Sequence, residues 1–420
     1  MKRLWVSLLV CCIIIASSQQ AYPRDVKSSN VNELIEEALK NNPHIQAAYN
    51  RWKAAAYRVK NVSAIPDPIG KYTYLGESIE TRIGPQEHKY ALSQTIPFPM
   101  KLYLKGKSAV KEREMLKEEY EAAKRDLIKD INFVYYDLYW LDKAQIVLNE
   151  EKTVLESLEK VARVKFETGY VPQQDVIRVG VEISKIIDRI LTVKQQRKSK
   201  EAMMNSLLNR PKRIPLEPIE DIGFEEFSHE LDQLRKIASK SRQELIEANL
   251  NVEKAKYEKS LSQLNFIPDF TFGFDYISVG SGSTVMSNDG RDAWMTTFAV
   301  NIPLWFDKLY TEIKEKEMSL KAAEHDYDDT KNRVTYEIED IYFKIVTYKD
   351  IVSLYKTALL PQTEQAFEAG RTGYESGKVD FLDWLDSERV LLQTRLAYYK
   401  AIADYQKSIA YLERIIGTDI

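Results

Sequence analysis

The chain of 420 residues has only two cysteines, Cys11 and Cys12, and both lie in an apolar run near the N-terminus. Disulfides and thiol chemistry are therefore excluded from everything beyond that run. Glycine (15) and proline (14) are scarce for this length, which argues against disorder and favours long helices. Histidine is scarcer still. His44, His88, His229 and His325 are scattered, with no HxxxH or His–carboxylate spacing for a catalytic metal. There is no nucleophile motif and no glycine-rich phosphate loop, and the acidic residues typically fall at i,i+4 from Lys or Arg, as on solvated helix faces. An enzyme is not expected, nor a cofactor or a bound metal. Excess charge is also missing: 60 basic residues against 63 acidic give a formal −3. With no Lys/Arg cluster interleaved with aromatics, nucleic acid is excluded as a partner. No later window reaches about 18 apolar residues, so no transmembrane helix is expected.

The N-terminus has a logic of its own. Lys2 and Arg3 precede the apolar run from Leu4 to Ala16, and small and polar residues follow to Ala21. This is the layout of a secretory signal, expected over residues 1–21. Val10 ahead of Cys11 fits a lipid-anchored cysteine poorly.

The remainder is written twice. Ile65-Pro66-Asp67 recurs as Ile267-Pro268-Asp269, Ile96-Pro97 as Ile302-Pro303, INFVY from Ile131 as IEDIY from Ile338, and Gly169 as Gly377. The offset drifts from 202 to 208, as small loop insertions would make it. A first repeat is expected over 22–209, with a β-hairpin at about 69–97 and a long helical hairpin at about 105–209. The proline-marked stretch 210–230 reads as a linker. The second repeat is expected over 231–420, with a hairpin at about 268–303 and long helices at about 309–416. Apolar positions between residues 105 and 168 follow mostly 4-3 steps, a heptad-like seam interrupted at Gln145 and Lys152. A helix of that span is roughly 90–100 Å long.

The short segments carry a different period. Phe270, Phe272, Phe274 and Tyr276 alternate with Thr271, Gly273 and Asp275, and Trp294 and Phe298 alternate with Met295, Thr297 and Ala299. Tyr90 and Leu92 alternate with Lys89, Ala91 and Ser93. Aromatics on one face with small or polar residues on the other is the pattern of an outer-membrane barrel strand. Prolines sit at the four helix–strand junctions, and Gly84-Pro85 and the stretch from Gly280 to Gly290 supply turn chemistry. Four strands cannot close a barrel, and open edges cannot sit in lipid. Chains must pool strands, and three copies give the twelve that leave a water-filled lumen. The expected fold is mainly α with a small β part: duplicated long-helix αα-hairpins, with four β-strands per chain contributing to a trimeric 12-stranded membrane barrel.

The order of elements, the segment SQTIPFPMK from Ser93 to Lys101 and the paired breaks FETGYVPQQDV and YESGKVDFLDWLD resemble the TolC-like outer-membrane efflux channels. The resemblance covers about residues 31–416, and IPFPMKLYLKGKSA looks most like the heavy-metal and cation branch. It implies a homotrimer in the outer membrane whose αα-hairpins form a periplasmic tunnel, a periplasmic adaptor partner and, through it, an inner-membrane pump. It implies that the breaks form the periplasmic tip, with Gly169, Tyr170, Val171, Gly377, Lys378 and Val379 meeting the adaptor. The glycines are equally explained as efficient αα-turns. Asp383 and Asp386 match the family's acidic ring at the tunnel's inner end, whereas a solvated helix face is the plainer reading. Asp175 matches a position that bridges neighbouring helices, but the expected arginine partner aligns with Val379, and Lys378 substitutes only approximately. The lipid-facing set is Tyr90, Leu92, Phe270, Phe272, Phe274, Tyr276, Trp294 and Phe298. A periplasmic coiled-coil scaffold without a pore is the competing reading.

Overall fold

The computed structural model describes residues 30–210, 214–219, 221–224, 226–282, 287 and 289–420. The expected signal at 1–21 and parts of the expected linker and of the second hairpin's turn lie outside these residues.

Each half of the described chain begins with a short helix followed by a longer one: α1 (Val31–Asn41) and α2 (Pro43–Ser63), then α5 (Leu231–Ser241) and α6 (Gln243–Leu264). In the first half Pro43 forces the residue before it out of the α region. Asn42 is extended there, accepts from the His44 N–H at 2.9 Å and donates to the Leu207 carbonyl at 2.9 Å. In the second half no proline stands at the break. Tertiary contacts hold Arg242 extended instead, its guanidinium donating to the Arg414 carbonyl at 2.7 Å and pairing with Glu244 at 2.7 Å.

Four antiparallel strands form one sheet in chain order: β1 (Ile69–Thr81), β2 (Gly84–Ile96), β3 (Phe270–Val279) and β4 (Ala293–Val300). The β2–β3 pairing joins the two repeats, with Tyr90 opposite Tyr276 and Leu92 opposite Phe274. Gly84 and Pro85 were expected in the first turn, but both belong to β2. Thr81 pairs with Gly84, so the chain reverses at Arg82 and Ile83. Gly84 takes φ +128° there, and a Cβ would lie 1.9 Å from the Gly280 carbonyl oxygen. This position needs glycine on both counts.

The long helices follow the strands. α3 (Pro99–Glu167) has 69 residues, about 100 Å at the standard rise. α4 (Gln173–Leu207) returns along it. The second copy runs through α7 (Phe306–Leu354), a π turn (Tyr355–Leu359) and α8 (Leu360–Glu375), then returns as α9 (Phe381–Ile416). Pro361 lies just past the π turn. It has no N–H to donate and its ring would crowd the carbonyl one turn back, and widening the helix accommodates both. The period of the side chains carries no trace of this, so the sequence reading treated the span as unbroken.

Leu127, Ile131, Val134, Leu138, Leu141, Leu148, Leu155 and Leu158 of α3 are all buried, and α3 packs on α2, α4, α6 and α9. Each such side chain withdrawn from water stabilises by about 1.5–3 kcal/mol, which is what keeps helices of this length side by side. Position 151 also belongs to this buried row, occupied by glutamate, whereas Gln145 and Lys152 stand off it. Among the described residues no helix is long and apolar enough to cross a membrane.

Candidate functional site

Two features stand apart from ordinary packing: a sheet with one aromatic face at one end of the long helices, and a pair of glycine turns at the other.

In the sheet, strand alternation puts Tyr72, Tyr90, Tyr276 and Trp294 in one row across all four strands. The next rows on that face hold Leu92 beside Phe274, and Phe272 beside Phe298. Ring centroids are 5.3 Å apart for Tyr72 and Tyr90, 5.3 Å for Phe272 and Phe298, and 6.3 Å for Phe274 and Trp294. The face is open: Trp294 is 69% exposed, Phe298 61% and Leu92 56%. Phe270, from the same set, is only half-exposed and stacks on Phe298 at 5.8 Å. The reverse face holds small and polar groups, including a Lys89–Asp275 ion pair at 3.0 Å and a Thr95–Thr271 hydroxyl contact at 3.0 Å. An apolar face this extensive is not left to water in a stable protein. Below β4 the run Ile302, Leu304, Trp305 and Phe306 is also exposed. The sequence reading did not single it out. The consecutive apolar letters IPLWF, ahead of a helix start, were the available signal.

The helix-to-sheet junction is pinned by the repeated Ile-Pro-Asp. Asp269 accepts from the Phe98 N–H at 2.9 Å and from buried Lys101 at 2.9 Å, and Lys101 also donates to the Ile267 carbonyl at 2.7 Å.

At the other end both glycines have positive φ, +79° at Gly169 and +74° at Gly377. Each closes a helix with the same pair of hydrogen bonds. The Tyr170 N–H reaches the Lys165 carbonyl at 2.8 Å and the Gly169 N–H reaches Phe166 at 2.9 Å. The Lys378 N–H reaches Gly373 at 2.8 Å and the Gly377 N–H reaches Tyr374 at 3.1 Å. This is the left-handed helix stop that satisfies the last carbonyls. The turns are also tied to each other: Lys165 donates to the Tyr374 carbonyl at 2.6 Å and lies 4.1 Å from the Tyr374 ring centre. Tyr170 and Lys378 project into solvent, Tyr170 at 82% exposure. Val171, expected at the surface beside them, is half-buried where the chain folds back through Pro172 into α4. Val379 is half-buried too, packed so closely on Gly373 that a Cβ there would meet its Cγ2 at 2.4 Å.

The aspartates separate into three kinds. Asp380 caps α9, accepting from the Phe381 N–H at 2.7 Å. Asp383 and Asp386 share the exposed side of α9, opposite buried Trp384 and Leu385, and neither joins an ion pair among the described residues. Asp175 is buried in the first turn of α4. Loss of water and the nearby Asp380 carboxylate push its pKa up, with Arg178 pulling the other way. It faces a carboxylate, and among the described residues it makes no ion pair with Lys378 or any other cation. Among the described residues no group of three or more His, Cys, Asp or Glu side chains is arranged to hold a metal ion.

The comparisons with known proteins fall on this framework. The sequence profile of the Outer membrane efflux protein family matches residues 234–418. Outer membrane protein TolC of Vibrio cholerae is 22% identical over 405 residues, covering 94% of this chain and 92% of TolC. The chain is thus similar to TolC-like outer-membrane efflux proteins along nearly its whole length. The crystal structure of the outer membrane protein VceC from Vibrio cholerae superposes on this chain with a TM-score of 0.77, at 18% identity, over 93% of this chain and 96% of VceC. Cobalt-zinc-cadmium resistance protein CzcC of Cupriavidus metallidurans is 27% identical over 154 residues, 36% of this chain, and the match spans about a third of CzcC (34%).

Proposed function

We propose that this protein is the outer-membrane exit duct of a tripartite export system. Three copies pool their four strands into a twelve-stranded barrel and their long helices into a tunnel through the periplasm. The observation that carries the reading is the sheet: an exposed aromatic face, a polar reverse face and, among the described residues, a free edge on each outer strand, mounted on long helices of which α3 reaches about 100 Å. Lipid on the aromatic face and water on the other satisfies every group, and only ring closure satisfies the edges. Trp305 and Phe306 then sit at the lower membrane boundary, where aromatic belts form. A scaffold without a pore accounts for the helices but leaves this face without a partner.

At the opposite end Tyr170 and Lys378, with the half-buried Val171 and Val379 around the two glycines, form the surface offered to a periplasmic adaptor, and through it to an inner-membrane pump. Asp383 and Asp386 from each of three copies would ring the inner aperture with carboxylates, favouring cations and slowing anions. Similarity to CzcC favours divalent metal ions as the cargo.

The test has two arms. The protein should extract from membranes only with detergent and run as a trimer; release by salt alone refutes the barrel. Deletion should sensitise cells to a selective set of challenges among metals, dyes and antibiotics, and sensitivity to metals alone would fix the cargo class.

A further inference from the structure

We propose that Glu151 and Glu388 share a single proton across the interface between the two helical hairpins, so that parting the hairpins at this level releases it. Glu151 belongs to α3 of the first repeat and Glu388 to α9 of the second, and they are 7% and 4% exposed. Each stands in an otherwise apolar row. Leu148 and Leu155 lie three before and four after Glu151, and Leu385 and Leu392 lie likewise around Glu388, all in one buried cluster. The two carboxyl groups lie near enough for a proton between them to make a hydrogen bond, and one oxygen of each, Oε1, is buried without a partner.

The charged groups around the pair do not neutralise it. From α4, Glu182 faces Glu388 and adds a like charge, but it is itself bound by Arg389 and by Lys185 at 2.9 Å. Arg389 and Arg395 are the cations on the α9 side, and Arg395 is held by Glu150 at 2.7 Å. Lys152, next to Glu151, pairs with Glu156 at 3.2 Å. Two buried carboxylates in contact cannot both stay ionised, so the pair keeps a proton. Burial first, then the hydrogen bond and the charge of Glu151, push the Glu388 carboxyl up to about 10. Burial also raises Glu151.

The sign follows. The packed state holds a proton at neutral pH that a separated, hydrated pair gives up near the ordinary carboxylate range. Packing of α9 on α3 is therefore firmest in acid and loosens as pH rises toward 10. The apolar rows above and below supply adhesion at any pH, and the carboxyl pair makes that adhesion proton-dependent. Asp386 is two residues from Glu388, so the same movement repositions the exposed aspartates. For a conducting duct, which rests on the reading above, acid then favours the closed tip.

The test reads helix separation and protonation, and both are independent of conduction. Spin labels at Thr153→Cys and Val390→Cys, in a Cys11→Ser, Cys12→Ser background, report the α3–α9 distance in the detergent-solubilised protein. The distance should be short and narrow at neutral pH and broaden reversibly toward pH 10. Glu388→Gln and Glu151→Gln, which keep shape and hydrogen bonding, should each hold it narrow throughout. Infrared spectra should show a protonated carboxyl band in wild type at neutral pH, lost in Glu388→Gln. Absence of that band, or an unaltered pH response in both glutamine variants, overturns the proposal. Bilayer conductance measured alongside tests the duct alone.

Discussion

The glycine turns allow one substitution to be given opposite signs at three positions of a single hairpin system. At Gly169 and Gly377 an added Cβ meets nothing within 4 Å, so alanine costs only what φ +79° and +74° impose. For a residue with a Cβ that is roughly 1–2 kcal/mol. At Gly180, inside α4, a Cβ also meets nothing within 4 Å, but the backbone there is helical. Alanine should stabilise that site by about 0.5–1 kcal/mol. Native-state hydrogen exchange resolves the difference. Gly169→Ala should speed exchange of the Tyr170 amide by about 5–30-fold, and Gly377→Ala that of the Lys378 amide equally, because 1–2 kcal/mol corresponds to that ratio. Gly180→Ala should slow exchange in the first turns of α4. Asparagine, which tolerates the left-handed region, should fall between wild type and alanine at 169 and 377. If Gly180→Ala proves as disruptive as Gly169→Ala, or if Gly169→Ala exchanges like wild type, backbone handedness is not what holds these turns.

Other consequences can be checked separately. Asp383→Asn with Asp386→Asn should reduce cation preference in bilayer recordings and leave trimer stability unchanged. Phe274→Lys, midway along β3 on the aromatic face, should lower the yield of heat-resistant membrane trimer, since a lysine facing the bilayer midplane costs about 2–4 kcal/mol. Arg414 is 7% exposed and bridges Asp126 at 2.7 Å and Glu244 at 2.5 Å, so Arg414→Ala should cost about 3–5 kcal/mol in denaturant unfolding. Burial pushes both carboxyls up, but the hydrogen bonds and charge of Arg414, joined by Lys129 at Asp126 and by Arg242 at Glu244, together outweigh it and hold them below their ordinary range. The stability they contribute is present above that range and lost as pH falls through their lowered values. Acid unfolding should therefore begin where α3, α6 and α9 meet, while the Glu151–Glu388 contact responds in the opposite direction.

Features of the chain that repeat were legible from letters alone, because each copy corroborates the other. Aromatic alternation located the strands, and Gly169 and Gly377 marked the helix stops. What escaped was set by contacts between distant residues. The break at Arg242 depends on Arg414 and Glu244, which lie on other elements or act through the folded turn. The π turn follows from a lone Pro361 inside a strong helical pattern. Glu151 was passed over because a glutamate among lysines and glutamates looks solvated until its partner is known to be Glu388, 237 residues away. Asp175 was grouped with Asp383 and Asp386 by family position, but its first-turn place in α4 faces inward and theirs on α9 faces outward.

The free outer edges of β1 and β4 have a consequence for how the proposed ring is made. A single sheet presents two raw edges. Joining a second copy satisfies one edge of each partner and leaves two raw edges again, so a pair of chains is no better off than one in this respect. In the proposed twelve-stranded ring it is the third copy that removes both at once. Assembly is thus a closing step and not a ladder, with half-built rings as short-lived species.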